Sequence, residues 1–106
     1  MCIRDRFIEE RVQLVFGTCA GIALRKVAEL RYDTVVLDEA AQITEIESMM
    51  PLTKLMDHGT LVLAGDHHQL PPTIKSKDAS FQGMGCSLFQ RLVLSAGFHY
   101  TTLSVQ

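Results

Sequence analysis

A parallel α/β sheet covered by helices on both faces is the fold class this sequence predicts, on two observations. Apolar, β-branched runs alternate with amphipathic segments along most of the chain. Strands that are apolar throughout, separated by helices, mark a parallel sheet buried on both sides. The second observation is where the polar chemistry falls. The apolar runs end in Gly17-Thr18, Asp38-Glu39 and Gly65-Asp66, and ligands of such sheets sit beyond the carboxyl ends of the strands.

Taken in order, residues 12–16 (VQLVF) form the first expected strand, ended by Gly17. Residues 20–30 carry Ile22, Leu24, Val27, Ala28 and Leu30 among charged neighbours, the pattern of a short amphipathic helix. Residues 34–37 (TVVL) form a second strand that stops at two carboxylates. Thr44 and Glu47 make a T-x-x-E capping box that opens a helix, which Pro51 should break or kink before it resumes toward Met56. Residues 60–64 (TLVLA) give a third strand, and residues 75–85, rich in Lys, Ser and Gly, a surface loop. Residues 87–96 form a helix with Leu88, Phe89, Leu92 and Val93 on one face and Gly97 as its stop. Residues 100–105 begin a fourth strand. The methionines read as core filler, with Met49 and Met50 on the buried face of their helix.

Composition bounds the function. At 106 residues there is room for one small domain, and 47% apolar content favours a packed core over disorder. The net charge of −2 gives no polybasic signal, so any case for nucleic acid must come from motifs. Cys2, Cys19 and Cys86 stand far apart with no CxxC pair, which supports neither a zinc site nor a disulfide framework and fits a reducing compartment. No apolar run reaches membrane-span length, and the N-terminus lacks the apolar core of a signal peptide. Residues 1–6 (MCIRDR) read as the translation of a sequencing-library adapter and are set aside, leaving 7–106 as the domain segment. Both ends of the chain read as cut.

Two motifs carry chemistry. Residues 35–41 (VVLDEAA) are an apolar strand delivering an acidic pair. Phosphoryl transfer needs a carboxylate to hold Mg²⁺, usually through its waters, and a group to orient the attacking water. Asp38, first off the strand, fits the metal role, and Glu39 fits the catalytic base. A solvated acidic pair capping the next helix is the plainer alternative. Residues 61–72 (LVLAGDHHQLPP) are more specific. Gly65 permits a sharp exit from the strand, and Pro71 and Pro72 stiffen the turn after Gln69. A rigid turn of this kind suits a γ-phosphate sensor, since an amide can donate to a phosphate oxygen and accept from water. A structural turn with incidental Asp and Gln is the alternative. Asp38 and Asp66 are separated by enough chain for one helical crossover between parallel strands, and the pair of motifs together reads as a nucleotide-hydrolysis site. His58, His67, His68 and His99 offer no metal-ligand spacing.

On residues 35–42 (VVLDEAAQ), 63–72 (LAGDHHQLPP), 87–92 (SLFQRL) and 102–106 (TLSVQ), the chain resembles the first RecA-like domain of superfamily 1 helicases of the up-frameshift and immunoglobulin-mu-binding-protein type. The resemblance covers nearly everything after residue 12. It implies a partial RecA-like (P-loop NTPase) α/β domain, truncated at both ends, with residues 7–106 its C-terminal part. It also implies Mg-ATP hydrolysis coupled to 5′-to-3′ movement on single-stranded RNA or DNA, inside the cell in cytoplasm or nucleus. Gln106 resembles the first residue of the family's Gln-Tyr-Arg-Met-His-Pro motif and would contact the nucleotide. Residues 17–21 (GTCAG) resemble the family's nucleic-acid-contacting threonine motif, in which Thr18 would touch a backbone phosphate; a plain strand-to-helix turn is the alternative. The G-x-x-x-x-G-K-[ST] phosphate loop is not in these residues, so this segment alone is expected to be inactive. A PhoH-like ATPase shares the Asp-Glu-Ala strand end and the Gly-Asp-x-x-Gln turn, and a non-catalytic helicase remnant is a further alternative. The Gln-Leu-Pro-Pro continuation and the Ser-Leu-Phe-x-Arg-Leu helix argue against the first of these, and intact Asp38, Glu39 and Gln69 against the second.

Overall fold

The structure, a computed structural model, describes residues 13–23 and 29–103. Its centre is a β-α-β unit. Strand β1 (Tyr32–Leu37) and strand β2 (Leu55–Leu63) pair in parallel, and helix α1 (Glu45–Leu52) makes the crossover between them. Register runs Thr34 to Thr60 and on through Leu37 to Leu63. The second strand is longer than the sequence predicts. Tyr32 pairs with Leu55, and the intervening residues up to Gly59 bulge out before pairing resumes at Thr60. Their polar, Gly-containing sequence reads as a loop because side-chain alternation is lost across a bulge.

The pleat sorts the strand residues. Val35 and Leu37 turn to one face, where they form the core with Ala40, Ala41 and Phe89, and Leu61, Leu63 and Val93 pack against it. Val36 and Val62, on the opposite face, are 62% and 42% exposed. Among the described residues the sheet is therefore buried on one side rather than two. Ile22 is the buried residue of the short 3₁₀ turn Gly21–Ala23. The rest of the helix expected over residues 20–30 lies largely outside the described residues.

Helix α1 opens as the capping box requires. Thr44 Oγ1 accepts the Glu47 N–H at 3.2 Å, and Glu47 Oε2 accepts the Thr44 N–H at 3.0 Å. Pro51 does not kink it and no helix resumes toward Met56. It lies in the last turn, Thr53 closes the helix, and Leu55 already belongs to β2. The buried face is also not the methionine pair. Ser48 and Pro51 are buried, while Met49, Met50, Met56 and Met84 are exposed. Small residues let this helix approach the sheet edge, so the longer side chains turn outward.

Residues expected as a surface loop contain helix α2, Lys77–Ala79 capped by Ser76 and widening into π-type turns over Ser80–Met84. All of it is solvated or nearly so. Helix α3 starts at Leu88–Gln90 and widens likewise over Arg91–Ser95. Ser87 caps it, wholly buried, by accepting the Gln90 N–H at 3.0 Å. Leu88 and Phe89 enter the core, and Arg91 reaches back to Glu45 with a two-pronged ion pair, Nη2 to Oε1 at 2.6 Å and Nε to Oε2 at 2.8 Å. That bond holds the Glu45 carboxyl below the usual carboxylate range. The Ser-Leu-Phe-x-Arg-Leu motif is thus a device that caps α3, seats it on the sheet and ties it to the first turn of α1. Gly97 ends the helix with φ 66, as expected.

Among the described residues, two of the four expected strands do not form. Residues 13–17 and 100–103 carry no ladder hydrogen bonds, although their sequences have strand character. A strand exists only by pairing, and β1 and β2 pair with each other alone among the described residues.

Candidate active site

The ends of β1 and β2 meet through backbone contacts. The Ala64 N–H donates to Leu37 O at 2.9 Å, and the Ala40 N–H donates to Ala64 O at 2.8 Å. The chain leaving β1 therefore stays bonded to the chain leaving β2 after the strands have ended. Gly65 is the residue this closeness demands. A Cβ there would lie 3.0 Å from Ala41 N and 3.1 Å from Ala40 N, both rigid backbone atoms. The small residues Ala40, Ala41, Ala64 and Gly65 are the sequence signal for this contact, and a search for chemical motifs passes over them.

Asp38 stands exposed at the end of β1, with Oδ1 accepting the Glu39 N–H at 3.0 Å. Glu39 has φ 52 and ψ 35, the left-handed region. It is the one non-glycine residue with positive φ among those described. A side chain in that region costs about 1 kcal/mol or more, and residues held so tend to gather at functional sites. What enforces it is on either side: Asp38 grips the Glu39 amide, and the Ala40 amide is taken by Ala64. The short 3₁₀ turn Ala40–Gln42 comes next, and Gln42 Nε2 donates to Glu39 Oε2 at 3.2 Å. The carboxylate is thereby aimed by its backbone and steadied by one amide. Hydrophobic periodicity carries no trace of the left-handed geometry.

The second turn is built around Asp66, to which the motif alone gives no separate role. Its carboxylate accepts the His68 N–H at 2.9 Å and Gln69 Nε2–H at 3.2 Å, and its carbonyl accepts the Gln69 N–H at 3.2 Å. The His68 N–H above all, then the Gln69 amide, holds the Asp66 carboxyl below the usual carboxylate range, with burial offsetting part of this. Gln69 is exposed at the tip, ahead of Pro71 and Pro72.

Thr18 joins Asp38 along a cleft of 710 Å³ that runs beside the free edge of β1, with Gln42 and Glu47 further along it. The Thr18 hydroxyl accepts the Gly21 N–H at 3.0 Å, so it also serves as the cap of its own turn. Glu39 and Gln69 do not line this cleft. Cys19 does, and burial, then the nearby Glu47 carboxylate, pushes its thiol up, away from nucleophilic or metal-binding use. Gln106 lies outside the described residues.

Among the described residues no cluster of three or more His, Cys, Asp or Glu could cage a metal. Mg²⁺ does not need one, since it keeps most of its waters and takes one or two carboxylates together with substrate phosphates. The single exposed carboxylate of Asp38 fits that mode. No described helix is long and apolar enough to cross a membrane.

Parallel strands whose carboxyl ends present an acidic pair and a Gly-Asp turn, locked edge to edge, define a partial RecA-like domain of the P-loop NTPase class. The AAA domain family matches residues 3–77. The chain belongs to that family, on its superfamily 1 helicase branch of the up-frameshift type. It is similar to the DNA replication ATP-dependent helicase/nuclease JHS1 of Arabidopsis thaliana, 43% identical over 83 residues, which is 78% of this chain and 6% of that protein. The 5'-3' DNA helicase ZGRF1 of Mus musculus is 40% identical over 91 residues, 85% of this chain and 5% of its own length. The Regulator of nonsense transcripts 1 homolog of Arabidopsis thaliana is 37% identical over 102 residues, 96% of this chain and 8% of its own. The chain thus spans well under a tenth of each of these relatives.

Proposed function

We propose that this segment belongs to an ATP-dependent helicase that hydrolyses Mg-ATP and moves 5′ to 3′ along single-stranded RNA or DNA inside the cell, in cytoplasm or nucleus. Residues 7–106 would be the C-terminal part of its first RecA-like domain, with residues 1–6 an adapter-derived addition. The carrying observation is the bonded pair of strand ends, which sets Glu39 in a strained, aimed conformation beside the Asp66–Gln69 turn. That relatives of this segment are ATP-dependent helicases, and one a 5'-3' DNA helicase, favours the same reading.

Within that reading Asp38 would hold magnesium, which when bound would supply charge neutralisation at the phosphates. Glu39 takes the proton of the attacking water, its carboxylate directed by the left-handed backbone. Gln69 senses the γ-phosphate, donating through the same side-chain amide that Asp66 engages. Gln106 contacts the nucleotide, and Thr18 a nucleic-acid phosphate. A Gly-rich phosphate loop upstream and a Tyr-Arg-Met sequence directly after Gln106 complete the site in the whole protein.

The test is made in the whole protein. Glu39→Gln keeps the shape but cannot take a proton, so turnover should fall about 100-fold or more while Mg-ATP binding stays near wild type. Asp38→Ala should instead weaken the Mg²⁺ dependence of nucleotide binding. Equal loss of ATP binding in both, with folding preserved, would refute this division of roles.

A further inference from the structure

The turn that carries Gln69 has a second side, and the nucleotide reading makes no use of it. Asp66 binds the turn from within, through His68 N–H and the Gln69 amide. The His67 ring lies on the other side and is half-buried, whereas Asp66, His68 and Gln69 are exposed. Its centroid is 4.1 Å from that of His68, tilted by 37°, and 6.2 Å from that of Phe89, tilted by 39°. Tyr100 meets it edge-on, at 6.2 Å and 80°. Phe89 belongs to the buried core on α3, and Tyr100 to the extended segment that leads toward Gln106. The edge-on Tyr100 contact is a favoured aromatic geometry, and the Phe89 ring lies within the separation at which aromatic rings interact. One ring therefore touches the sensor turn, the core helix and the segment approaching the second nucleotide contact.

Resting on the assignment of Gln69 as the phosphate sensor, we propose that His67 is a positioning residue for Gln69, an aromatic wedge that fixes the sensor turn against Phe89 and Tyr100. The ring supplies the contact and its nitrogens do not. Without the wedge the turn keeps its Asp66 bonds but loses its fixed seat on α3 and on the Tyr100 segment. Gln69 then still forms its local bonds, yet it no longer arrives in one place when nucleic acid and nucleotide are both bound. The consequence is a loss in stimulated turnover with nucleotide affinity retained.

The experiment compares His67→Ala, His67→Gln, His67→Phe, Tyr100→Ala and Gln69→Ala in the whole protein, reading kcat and KM for ATP with and without a single-stranded oligonucleotide. His67→Ala and His67→Gln should lower stimulated kcat about two- to tenfold, the worth of an aromatic pair, with KM for ATP unchanged. His67→Phe should restore it, and Tyr100→Ala should reproduce part of the loss. Tyr100 is more than half exposed, so that variant and the ring-preserving His67→Phe carry the test even where His67→Ala folds poorly. The inference is overturned by wild-type stimulation in His67→Ala while Gln69→Ala is impaired, or by His67→Phe being no better than His67→Ala. Wild-type stimulation in Gln69→Ala itself removes the sensor reading, and this inference with it.

Discussion

The carboxyl ends of β1 and β2 lie side by side and are held by opposite means. The β2 end is self-contained: Asp66 organises its own turn with three hydrogen bonds to residues within three positions of it, and Pro71 and Pro72 restrict the backbone just beyond. The β1 end is held from outside. Glu39 sits in a conformation its own chemistry disfavours, kept there because Ala40 is bonded to Ala64 and the whole turn is pressed against Gly65. The Asp66–Gln69 turn is thus local structure, and the Glu39 conformation is tertiary structure. A local turn forms wherever its sequence goes, whereas a strained one forms only once its neighbour is in place. The proposed catalytic base is therefore aimed only after the crossover has brought the second strand home.

The largest effect should come from breaking that dependence. Gly65→Val places branched carbon against Ala40 and Ala41 backbone nitrogens that cannot move cheaply. Overpacking of this kind costs about 1–3 kcal/mol. The Ala40 and Ala64 amides should lose protection from hydrogen exchange together, and the His68 amide should keep its own. Collapse of all three at once would show that the two ends are a single unit, with no division between a local and a tertiary turn.

A smaller effect, opposite in sign, separates strain from function at Glu39. Glycine adopts φ 52 without penalty, so Glu39→Gly should raise stability by up to about 1 kcal/mol in chemical denaturation. The lost Gln42 contact offsets part of this gain. Turnover in the whole protein should fall at least as far as is expected for Glu39→Gln, about 100-fold or more. A destabilised Glu39→Gly would mean that the left-handed residue is not under strain.

The contrast also explains what can be read from the sequence. Local features are legible: the Thr44–Glu47 capping box, the Ser87 to Gly97 bounds of α3, the β1 strand and its acidic pair, and the prolines closing the sensor turn. The hidden features depend on distant partners. Residues 12–16 and 100–105 have strand composition, but pairing decides whether a strand exists. Hydrophobicity points Met49 and Met50 inward, while approach distance favours Ser48 and Pro51. Glu39's backbone is set by Ala64 and Gly65, some 25 residues away, and only the run of small residues at both strand ends hints at it. Asp66 is legible as part of its motif, but its role as the cap of its own turn is visible only in the hydrogen bonds it accepts.

The smallest effect tests the self-contained end by its charge. The Asp66 carboxyl lies below the usual range because the His68 N–H, and after it the Gln69 amide, favour the ionised form. A folded-state value depressed below the unfolded one contributes stability above the unfolded pKa and loses it as pH falls through the folded value. The turn should accordingly be unchanged from neutral pH down through the ordinary aspartate range, and should loosen only below it. The His68 amide shift in NMR reports this directly, as a midpoint more acidic than an unperturbed aspartate. Asp66→Asn keeps an oxygen that can accept the His68 N–H, so the turn should persist and the titration should disappear. The new amide cannot serve as a charged acceptor for Gln69, whose side chain should become more mobile while the backbone bond from its N–H to residue 66 survives. A His68 midpoint at or above the ordinary aspartate range would mean that the carboxylate does not hold the turn, leaving it to Pro71, Pro72 and the packing of the His67 ring.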